Sequence, residues 1–274
     1  MVVVTASGEP SVTFETDAYG GVTVLRDGFP QSYVDLSDPT RLAFEYVAQM
    51  ALAVDTLAPV GPLALTHVGG AGLTLPRYFA YTRPGSTQIV LEPDEASTQR
   101  VREELPLPRG HRIRVRAQDG LSGVSAMGDG RADAVLVDAY AGGRVPAELG
   151  TVVFFTEVAR VLRPGGLVVA NVADAPGRRY VSRVAAGCLR VGLGQVALLG
   201  THDVVKGRRF GNTVLVASAR RFEVDDLRRA ATRCPFPTGV VSDEWASQLR
   251  AAKAFTADDA QCSPEPPTAG SWRR

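Results

Sequence analysis

From residue 61 onward, short apolar segments alternate with longer segments that carry apolar residues at helical spacing, and this alternation constrains the fold more than any other feature. Runs such as residues 132–137 and 167–172 are apolar at almost every position. Strands with that pattern are covered on both faces, which is typical of a parallel sheet between helices. The sequence therefore predicts an α/β fold with a doubly wound, mostly parallel sheet of seven strands.

The regions outside this alternation are predicted separately. Residues 11–37 read as short alternating strands joined by turns, so they predict a small β appendage of two or three strands. Ser37-Asp38-Pro39 is a helix-start signal, and the amphipathic pattern after it predicts a linking helix that ends near Pro59. The predicted boundaries are residues 1–37 for the N-terminal β-hairpin appendage, 38–60 for the linking helix, 61–222 for the sheet domain, 223–261 for a C-terminal helical extension and 262–274 for a disordered tail.

Composition argues against several classes of protein. Lys+Arg 30 against Asp+Glu 29 give a formal charge of +1, so no overall charge attracts nucleic acid or an anionic membrane. The three cysteines and three histidines have neither disulfide nor metal-ligand spacing, so no metal is expected. A signal peptide and a membrane span are not visible in the apolar pattern. We therefore expect a soluble cytoplasmic protein.

A glycine-rich turn follows the first predicted strand of the sheet domain. Gly69, Gly70 and Gly72 lie in this turn, where glycines let the backbone approach a ligand closely and the next helix presents its N-terminus. The dinucleotide fingerprint needs a further glycine at position 75, which is Leu75 here, so a pyrophosphate is not expected. A tight turn without a ligand is the alternative interpretation.

Acidic residues follow the second and third predicted strands. Glu92 lies 20 residues beyond Gly72, where a carboxylate accepts hydrogen bonds from both hydroxyls of a ribose. Its alternative role is that of an acid at a helix N-terminus, which Asp94 can fill equally well. Asp119 is placed to receive the exocyclic amine of adenine, and its alternative is a solvated Asp-Gly turn.

A third acid, Asp138, directly follows the apolar run at residues 134–137. A carboxylate at the mouth of a central strand faces the ligand crevice, where it can orient an attacking amine or hold a cationic group. Its alternative role is to cap the next turn. Glycines without a pyrophosphate fingerprint, a ribose carboxylate and two further acids fit a nucleoside with a cationic centre, such as S-adenosylmethionine or its decarboxylated form.

Motifs in both parts of the chain carry a family resemblance. The sheet domain contains His67-Val-Gly-Gly-Ala-Gly, Glu92-Pro-Asp, Gln118-Asp-Gly, Val137-Asp and Phe155-Thr-Glu-Val-Ala-Arg-Val-Leu-Arg-Pro-Gly-Gly. The appendage contains Asp27-Gly-Phe-Pro-Gln31, similar to an Asp-Gly-x-x-Gln hairpin. On these motifs, about residues 11–218 resemble the class I S-adenosylmethionine-dependent methyltransferases and, more narrowly, the spermidine synthase (polyamine aminopropyltransferase) family.

The resemblance implies a Rossmann-like methyltransferase fold, a small amine or another small molecule as acceptor, and a homodimer formed through the β appendage. It implies S-adenosylmethionine or decarboxylated S-adenosylmethionine as co-substrate. The implied roles are cofactor binding by Gly69, Gly70, Gly72, Glu92 and Asp119, catalysis by Asp138 and Tyr140, and substrate binding by Gln31 and Tyr46.

Three segments depart from the family pattern. Gly72 stands where the family has the Asp that holds the primary amine of the donor. The family's Asp-x-x-Asp segment keeps its first acid at Asp138 and has Ala141 in place of the second. The family's Tyr-His-Glu-Met segment is only partly matched by Tyr46-Val-Ala-Gln-Met50.

Three functions stay open on this reading. The first is a spermidine-synthase-like transferase that moves an aminopropyl group to an amine acceptor. The second is a methyltransferase on the same scaffold, in which Gly72 leaves room for the carboxylate of S-adenosylmethionine. The third is a non-catalytic nucleoside-binding homologue that kept the fold and lost the acids.

Overall fold

The computed structural model describes residues 12–70 and 72–267. The first described elements form a small antiparallel sheet of β1 (Val12–Thr16), β2 (Val22–Arg26) and β3 (Phe29–Val34). Asp17 closes the first turn, because its carboxylate accepts hydrogen bonds from the N–H groups of Tyr19 (2.8 Å) and Gly21 (3.0 Å). The β appendage therefore has three strands, and residues 1–11 of its predicted range lie outside the described residues.

The linking helix α1 (Glu45–Leu57) begins later than the signal at Ser37-Asp38-Pro39 predicts. The Asp38 carboxylate accepts hydrogen bonds from the N–H (3.0 Å) and hydroxyl (2.5 Å) of Thr40. These bonds close a local turn, which Asp favours as readily as a helix cap. The helix ends before Pro59, as predicted.

The main sheet has eight strands, which in chain order are β4 (Ala64–Val68), β5 (Thr87–Leu91), β6 (Ile113–Arg116), β7 (Ala132–Val137), β8 (Leu162–Asp174), β9 (Gln195–Gly200), β10 (Gly211–Ser218) and β11 (Gly239–Val241). Across the sheet the order is β11-β9-β10-β8-β7-β4-β5-β6. Pairs between β8 and β6 are parallel, whereas β10 and β11 are antiparallel to their neighbours. The predicted doubly wound, mostly parallel sheet is confirmed.

The predicted number of seven strands is wrong by one. The eighth strand, β11, has three residues and pairs with β9 at the sheet edge, where Gly239 lies opposite Gly200. A segment of three residues is too short to show strand periodicity. The predicted C-terminal helical extension therefore also contributes a strand.

Helices cover both faces of the sheet. After α1 they are α2 (Thr74–Thr82), α3 (Glu95–Glu104), α4 (Gly120–Ser125), α5 (Val152–Val161), α6 (Arg179–Arg190), α7 (His202–Val205), α8 (Val224–Ala231) and α9 (Ala246–Ala251). Along β7, Val135 and Val137 join the core cluster that contains α5 and α6 residues, and Ala134 and Leu136 join the one that contains α1 and α2 residues. None of the helices in the described part of the chain has the length and apolarity to cross a membrane.

The order of the strands predicts where a ligand crevice lies. From β4 the chain continues to β5 and β6 on one side, and β7 and β8 lie on the other side of β4. Ligands of doubly wound sheets bind at such a switch point, at the carboxyl ends of the strands. The residues that follow β4 and β7 there are Gly69 and Asp138.

A C-terminal strap, residues 252–267, packs against the loop and short helix that follow β7. Ser263 is fully buried, its N–H donates to the carbonyl of Val145 (3.2 Å), and its hydroxyl accepts from the Val145 N–H (2.9 Å). The prediction of a disordered tail therefore does not hold for residues 262–267, since these contacts fix the segment despite its Pro-rich sequence. Residues 268–274 of that prediction lie outside the described residues.

Candidate active site

The glycine-rich turn lies directly against Asp138. The Gly69 N–H donates to the carbonyl of Leu91 (2.9 Å), and the Asp138 N–H donates to the carbonyl of Val68 (2.8 Å). Gly69 has a φ of +79°, and a Cβ at this position would lie 2.3 Å from the Asp138 carbonyl oxygen. Residue 69 therefore has to be glycine for the ends of β4 and β7 to meet.

Glu92 lies on the other side of the same turn. Its carboxylate accepts a hydrogen bond from the backbone of Gly70 and one from the Asp94 N–H (3.1 Å). Burial raises the pKa of Glu92 above its ordinary value. Asp94 caps α3 by accepting from the Ser97 N–H (2.8 Å), so Glu92 is not needed for the capping role. The structure therefore brings Glu92 together with Gly69 and Gly70.

The carboxylate of Asp119 has a capping role that the sequence analysis did not predict. It is exposed at the end of β6 and caps α4, because its carboxylate accepts from the Ser122 N–H (2.8 Å). This hydrogen bond lowers the pKa of Asp119, so the side chain is ionised at neutral pH. Asp119 lies one strand beyond Glu92 and away from the cleft around Asp138.

A narrow cleft opens beside Asp138. Its walls come from the appendage, α1, the glycine-rich turn, α2 and the sheet, and its lining residues are Gln31, Ser32, Tyr46, Val47, His67, Gly69, Gly70, Thr74, Leu75, Pro76, Leu136 and Asp138. The structure therefore brings together three residues for which the sequence predicts substrate or catalytic roles, Gln31, Tyr46 and Asp138.

The carboxylate in this cleft has an unusual environment. Burial raises the pKa of Asp138 to about 6, and the hydrogen bond that its Oδ1 accepts from the Asn171 Nδ2 (2.9 Å) opposes this shift. Asp138 is thus ionised at neutral pH but is a stronger base than an exposed carboxylate. This combination suits a group that has to accept a proton.

Two tyrosines flank Asp138 on opposite sides of the sheet. Burial, and then the charge of Asp138, raise the pKa of both Tyr46 and Tyr140 well above the ordinary value, so both phenols keep their protons. Tyr46 lines the cleft. Tyr140 packs against the opposite core cluster, with its hydroxyl 3.5 Å from the Asn171 carbonyl, and does not line the cleft.

Comparison with solved structures shows which proteins this chain resembles. A probable spermidine synthase from Corynebacterium glutamicum matches with a TM-score of 0.84 and 28% identity, over 97% of this chain and 99% of that chain. The chain has a spermidine-synthase-like structure of the methyltransferase fold. No protein-family model and no curated protein matches it.

Two more distant structures share the fold with this spermidine-synthase-like chain. Spermidine synthase from Thermotoga maritima matches with a TM-score of 0.60 and 17% identity, over 92% of this chain and 80% of that chain. Human methyltransferase-like protein 13 in complex with SAH matches with a TM-score of 0.56 and 19% identity, over 78% of this chain and 96% of that chain. At these identities the likeness concerns the fold.

The spermidine-synthase-like chain fills the space at Gly72 with a residue that sequence reasoning missed. The Gly72 N–H donates to the Ser32 hydroxyl oxygen (2.9 Å), and a Cβ on Gly72 would lie 2.4 Å from the Ser32 Cβ. The expectation that Gly72 leaves room for a donor carboxylate is therefore wrong, because β3 occupies that room. The Gly72 N–H is also not offered to a ligand.

Asn171 is a second residue that sequence reasoning missed. It is buried in β8, it donates to Asp138, and its Oδ1 has no hydrogen-bond partner among the described residues. The sequence signal that could have identified Asn171 is that it is the single amide in the otherwise apolar run at residues 167–173. The Asn171 amide fixes the orientation of the Asp138 carboxylate.

His67 lines the cleft without contributing charge. Its Nε2 lies 2.8 Å from the Gln88 Oε1, and burial lowers the pKa of His67 to about 4, so the ring is neutral at neutral pH. In the described part of the chain, no three His, Cys, Asp or Glu side chains come together as metal ligands.

Proposed function

We propose that the chain is a transferase that moves the aminopropyl group of decarboxylated S-adenosylmethionine to an amine. The observation that carries the proposal is Asp138, a carboxylate of raised pKa at the switch point of the sheet, in a cleft that Tyr46 and Gln31 help to close. The likeness to the C. glutamicum probable spermidine synthase supports it, because that likeness covers 97% of this chain and so includes the appendage and α1.

The proposed donor site is the turn between β4 and α2. The nucleoside would lie against the turn at Gly69 and Gly70, and Glu92 would accept hydrogen bonds from its ribose hydroxyls. Asp119, whose carboxylate also caps α4, receives the amine of the adenine ring. SAH in human methyltransferase-like protein 13 supports a nucleoside of this type on this fold.

The proposed chemical step is a direct displacement. The lone pair of the acceptor nitrogen attacks the propyl carbon bonded to the sulfonium, so a C–N bond forms while the C–S bond breaks and its electrons return to sulfur. The products are a neutral thioether nucleoside and an alkylated amine. Asp138 accepts the proton that the nitrogen loses, and Tyr46, as a hydrogen-bond donor beside it, helps to position the nitrogen.

Charge in the cleft favours aminopropyl over methyl transfer. The described lining residues include Asp138 and no Lys or Arg, so the carboxylate of S-adenosylmethionine would meet a like charge and no cation. Ser32 also fills the space that the methyltransferase hypothesis needed at Gly72.

Product release tests the proposal. Purified protein is incubated with decarboxylated S-adenosylmethionine and a set of primary amines, and methylthioadenosine is measured by chromatography. We expect sustained release that depends on the amine. Release of S-adenosylhomocysteine from S-adenosylmethionine, with none from the decarboxylated donor, would replace the proposal by methyl transfer.

The variant Asp138→Asn tests the role of the carboxylate in this reaction. Loss of the proton acceptor should lower turnover by about 10²–10⁴-fold while donor affinity stays within a few-fold. Asp258→Asn makes the same chemical change at an exposed position of the strap and should leave both unchanged. Wild-type turnover in Asp138→Asn would remove Asp138 from the mechanism.

A further inference from the structure

A basic segment forms one edge of the main sheet. Residues 109–116 contain four arginines and one histidine, and no Asp or Glu. Strand β6 lies within this segment at the end of the sheet, where it pairs with β5 and with no other strand of the described chain. The segment therefore combines a concentration of positive charge with an open strand edge.

The side chains of this segment alternate between the two faces of the sheet. Ile113 is buried in a core cluster, and Val115 packs against the same cluster. Arg112, Arg114 and Arg116 therefore lie on the opposite face, where the first two are exposed and the third is partly buried. These three residues form an arginine row, in which neighbours are about 6.6 Å apart along the strand.

The arginine row has no anionic partner within the chain. In the part of the chain that the structure describes, no carboxylate forms an ion pair or a hydrogen bond with any of its three guanidinium groups. Two arginines earlier in the sequence do have such partners, since Arg26 pairs with Asp94 (2.8 Å) and Arg100 with Glu103 (3.7 Å). The charges of the row are thus available to an anion from outside.

The backbone of β6 also has groups that β5 does not use. The Glu92 N–H donates to the carbonyl of Arg116 (3.0 Å), so the backbone groups of the arginine row face β5. Those of the intervening residues point away from β5. The Ile113 N–H accordingly donates to the His111 Nδ1 (3.1 Å), whereas the N–H and carbonyl of Val115 face the open edge.

Strand geometry and charge together favour an acidic peptide at this edge. An extended peptide repeats every two residues, as β6 does, so acidic side chains at alternate positions would each lie opposite one arginine. A second copy of β6 would place arginine opposite arginine, which is destabilising. Nucleic acid is less favoured, because residues 100–119 contain no Phe, Tyr or Trp for base stacking and the whole chain carries a charge of only +1.

We infer that the open edge of β6 binds an extended acidic segment of a partner protein, in which Asp or Glu alternates with apolar residues. The segment adds to the main sheet as a further strand, with its backbone paired to Val115 and its acids opposite the arginine row. Its apolar residues lie on the face of Ile113 and Val115. None of these residues lines the cleft at Asp138, so this binding does not depend on the proposed reaction.

Two synthetic peptides of identical composition test the inference. The peptides Glu-Val-Glu-Val-Glu-Val-Glu and Glu-Glu-Glu-Glu-Val-Val-Val, both acetylated and amidated, carry the same charge, but only the first has an acid at every second position. By calorimetry at low ionic strength we expect the alternating peptide to bind at least about tenfold more tightly. Equal affinity, or no binding of the alternating peptide, would overturn the inference. Tighter binding of single-stranded oligothymidylate than of the alternating peptide would replace it by a nucleic-acid site.

A charge reversal tests the arginine row. Arg114→Glu changes its central, exposed residue and should weaken binding of the alternating peptide by about tenfold, because an attraction becomes a repulsion. Arg221→Glu makes the same change at an exposed position after β10, on the other side of the sheet, and should bind the peptide as the wild-type protein does. Equal weakening in both variants would mean that only overall charge matters and would contradict the role of the row.

A proline tests the backbone pairing. Val115→Pro removes the outward N–H and keeps every arginine, and proline is tolerated on an edge strand where the N–H faces solvent. We expect this variant to lose the preference for the alternating peptide, and Val115→Ala, which keeps the N–H, to retain it. Thermal unfolding followed by circular dichroism checks that both variants fold, and if the proline variant does not, the two-peptide comparison on the wild-type protein decides. A retained preference in folded Val115→Pro would contradict strand addition.

Discussion

At the scale of single residues, Asp138 carries both the chemistry and a cost in stability. Burial beside the cleft raises its pKa to about 6, and the Asn171 amide holds it in place. The raised pKa means that the surroundings favour the protonated form, so the ionised form needed for proton transfer destabilises the folded state. Function and stability therefore make opposite demands on this side chain.

The activity of the wild-type protein should depend on the ionisation of Asp138. Below pH about 6 the carboxylate is protonated and cannot accept a proton. Log kcat/KM should therefore fall by one unit for each pH unit below that value, in addition to any slope from ionisation of the amine substrate. Asp138→Asn should lose this break while keeping any slope due to the amine itself. A wild-type profile without a break between pH 5 and 7 would contradict the role given to Asp138.

Asp138→Asn should also be more stable than the wild-type protein at pH 7. The folded-state pKa is raised, so the folded state binds the proton more tightly than the unfolded chain, and stability is lost as pH rises from about 4 to about 6. The side chain introduced by Asp138→Asn does not ionise, so the variant avoids this loss of stability. We expect a gain of about 1–3 kcal/mol in its free energy of unfolding in urea at pH 7. The gain should disappear below pH about 4. A variant less stable than wild type at pH 7 would contradict it.

At the scale of elements, the appendage is part of the site. Strand β3 contacts the glycine-rich turn through the Ser32–Gly72 hydrogen bond and the bond from Thr74 to the Tyr33 carbonyl. From the other side, the buried Arg77 guanidinium donates to the Gly72 carbonyl (3.5 Å) and to the Pro106 carbonyl (3.0 Å). The turn is thus held between β3 and the segment after α3.

Gly72→Ala should disturb this contact between elements. The new Cβ would lie 2.4 Å from the Ser32 Cβ, so we expect a loss of about 1–3 kcal/mol in the free energy of unfolding in urea. Ser32→Gly removes the opposing atoms, so Gly72→Ala should cost much less in that background. Gly194→Ala is a matched control, because nothing lies within 4 Å of its Cβ. Equal costs of Gly72→Ala in the two backgrounds would contradict the contact.

Prediction from sequence succeeded where the signal lies within one element. The apolar run of β7 and the Asp94 cap of α3 depend on near neighbours, and both were predicted. The start of α1 was missed because Asp38 can close a turn or cap a helix with the same side chain. The contact of Ser32 with Gly72 joins residues 40 positions apart, and it depends on how the appendage folds onto the sheet.

At the scale of the whole molecule, the C-terminal strap joins parts that are distant in sequence. Phe255 is buried beside Tyr180 of α6, with the Arg183 guanidinium 3.7 Å above its ring. Farther along, Ser263 and the loop after β7 are linked through Val145 and through the Arg144 side chain, which donates to the Ser263 carbonyl (2.6 Å). The strap therefore anchors the loop that follows Asp138. Homodimerisation through the appendage stays a prediction.

Ser263→Ala should weaken this anchor. The variant leaves the buried Val145 N–H without its partner, so we expect a loss of about 1–3 kcal/mol in the free energy of unfolding measured in urea. Ser125→Ala makes the same change at an exposed position and should have an effect within about 0.5 kcal/mol. Equal stability of the two variants would show that the strap does not hold the loop.

Calorimetric titration of the purified protein with four nucleosides tests the central claim most directly. The four are decarboxylated S-adenosylmethionine, methylthioadenosine, S-adenosylmethionine and S-adenosylhomocysteine. Because the cleft offers a carboxylate and no cation among its described lining residues, we expect the first two to bind more tightly than the two that carry a carboxylate. Preference for the carboxylated pair, or no binding of any of the four, would contradict the proposal of an aminopropyltransferase.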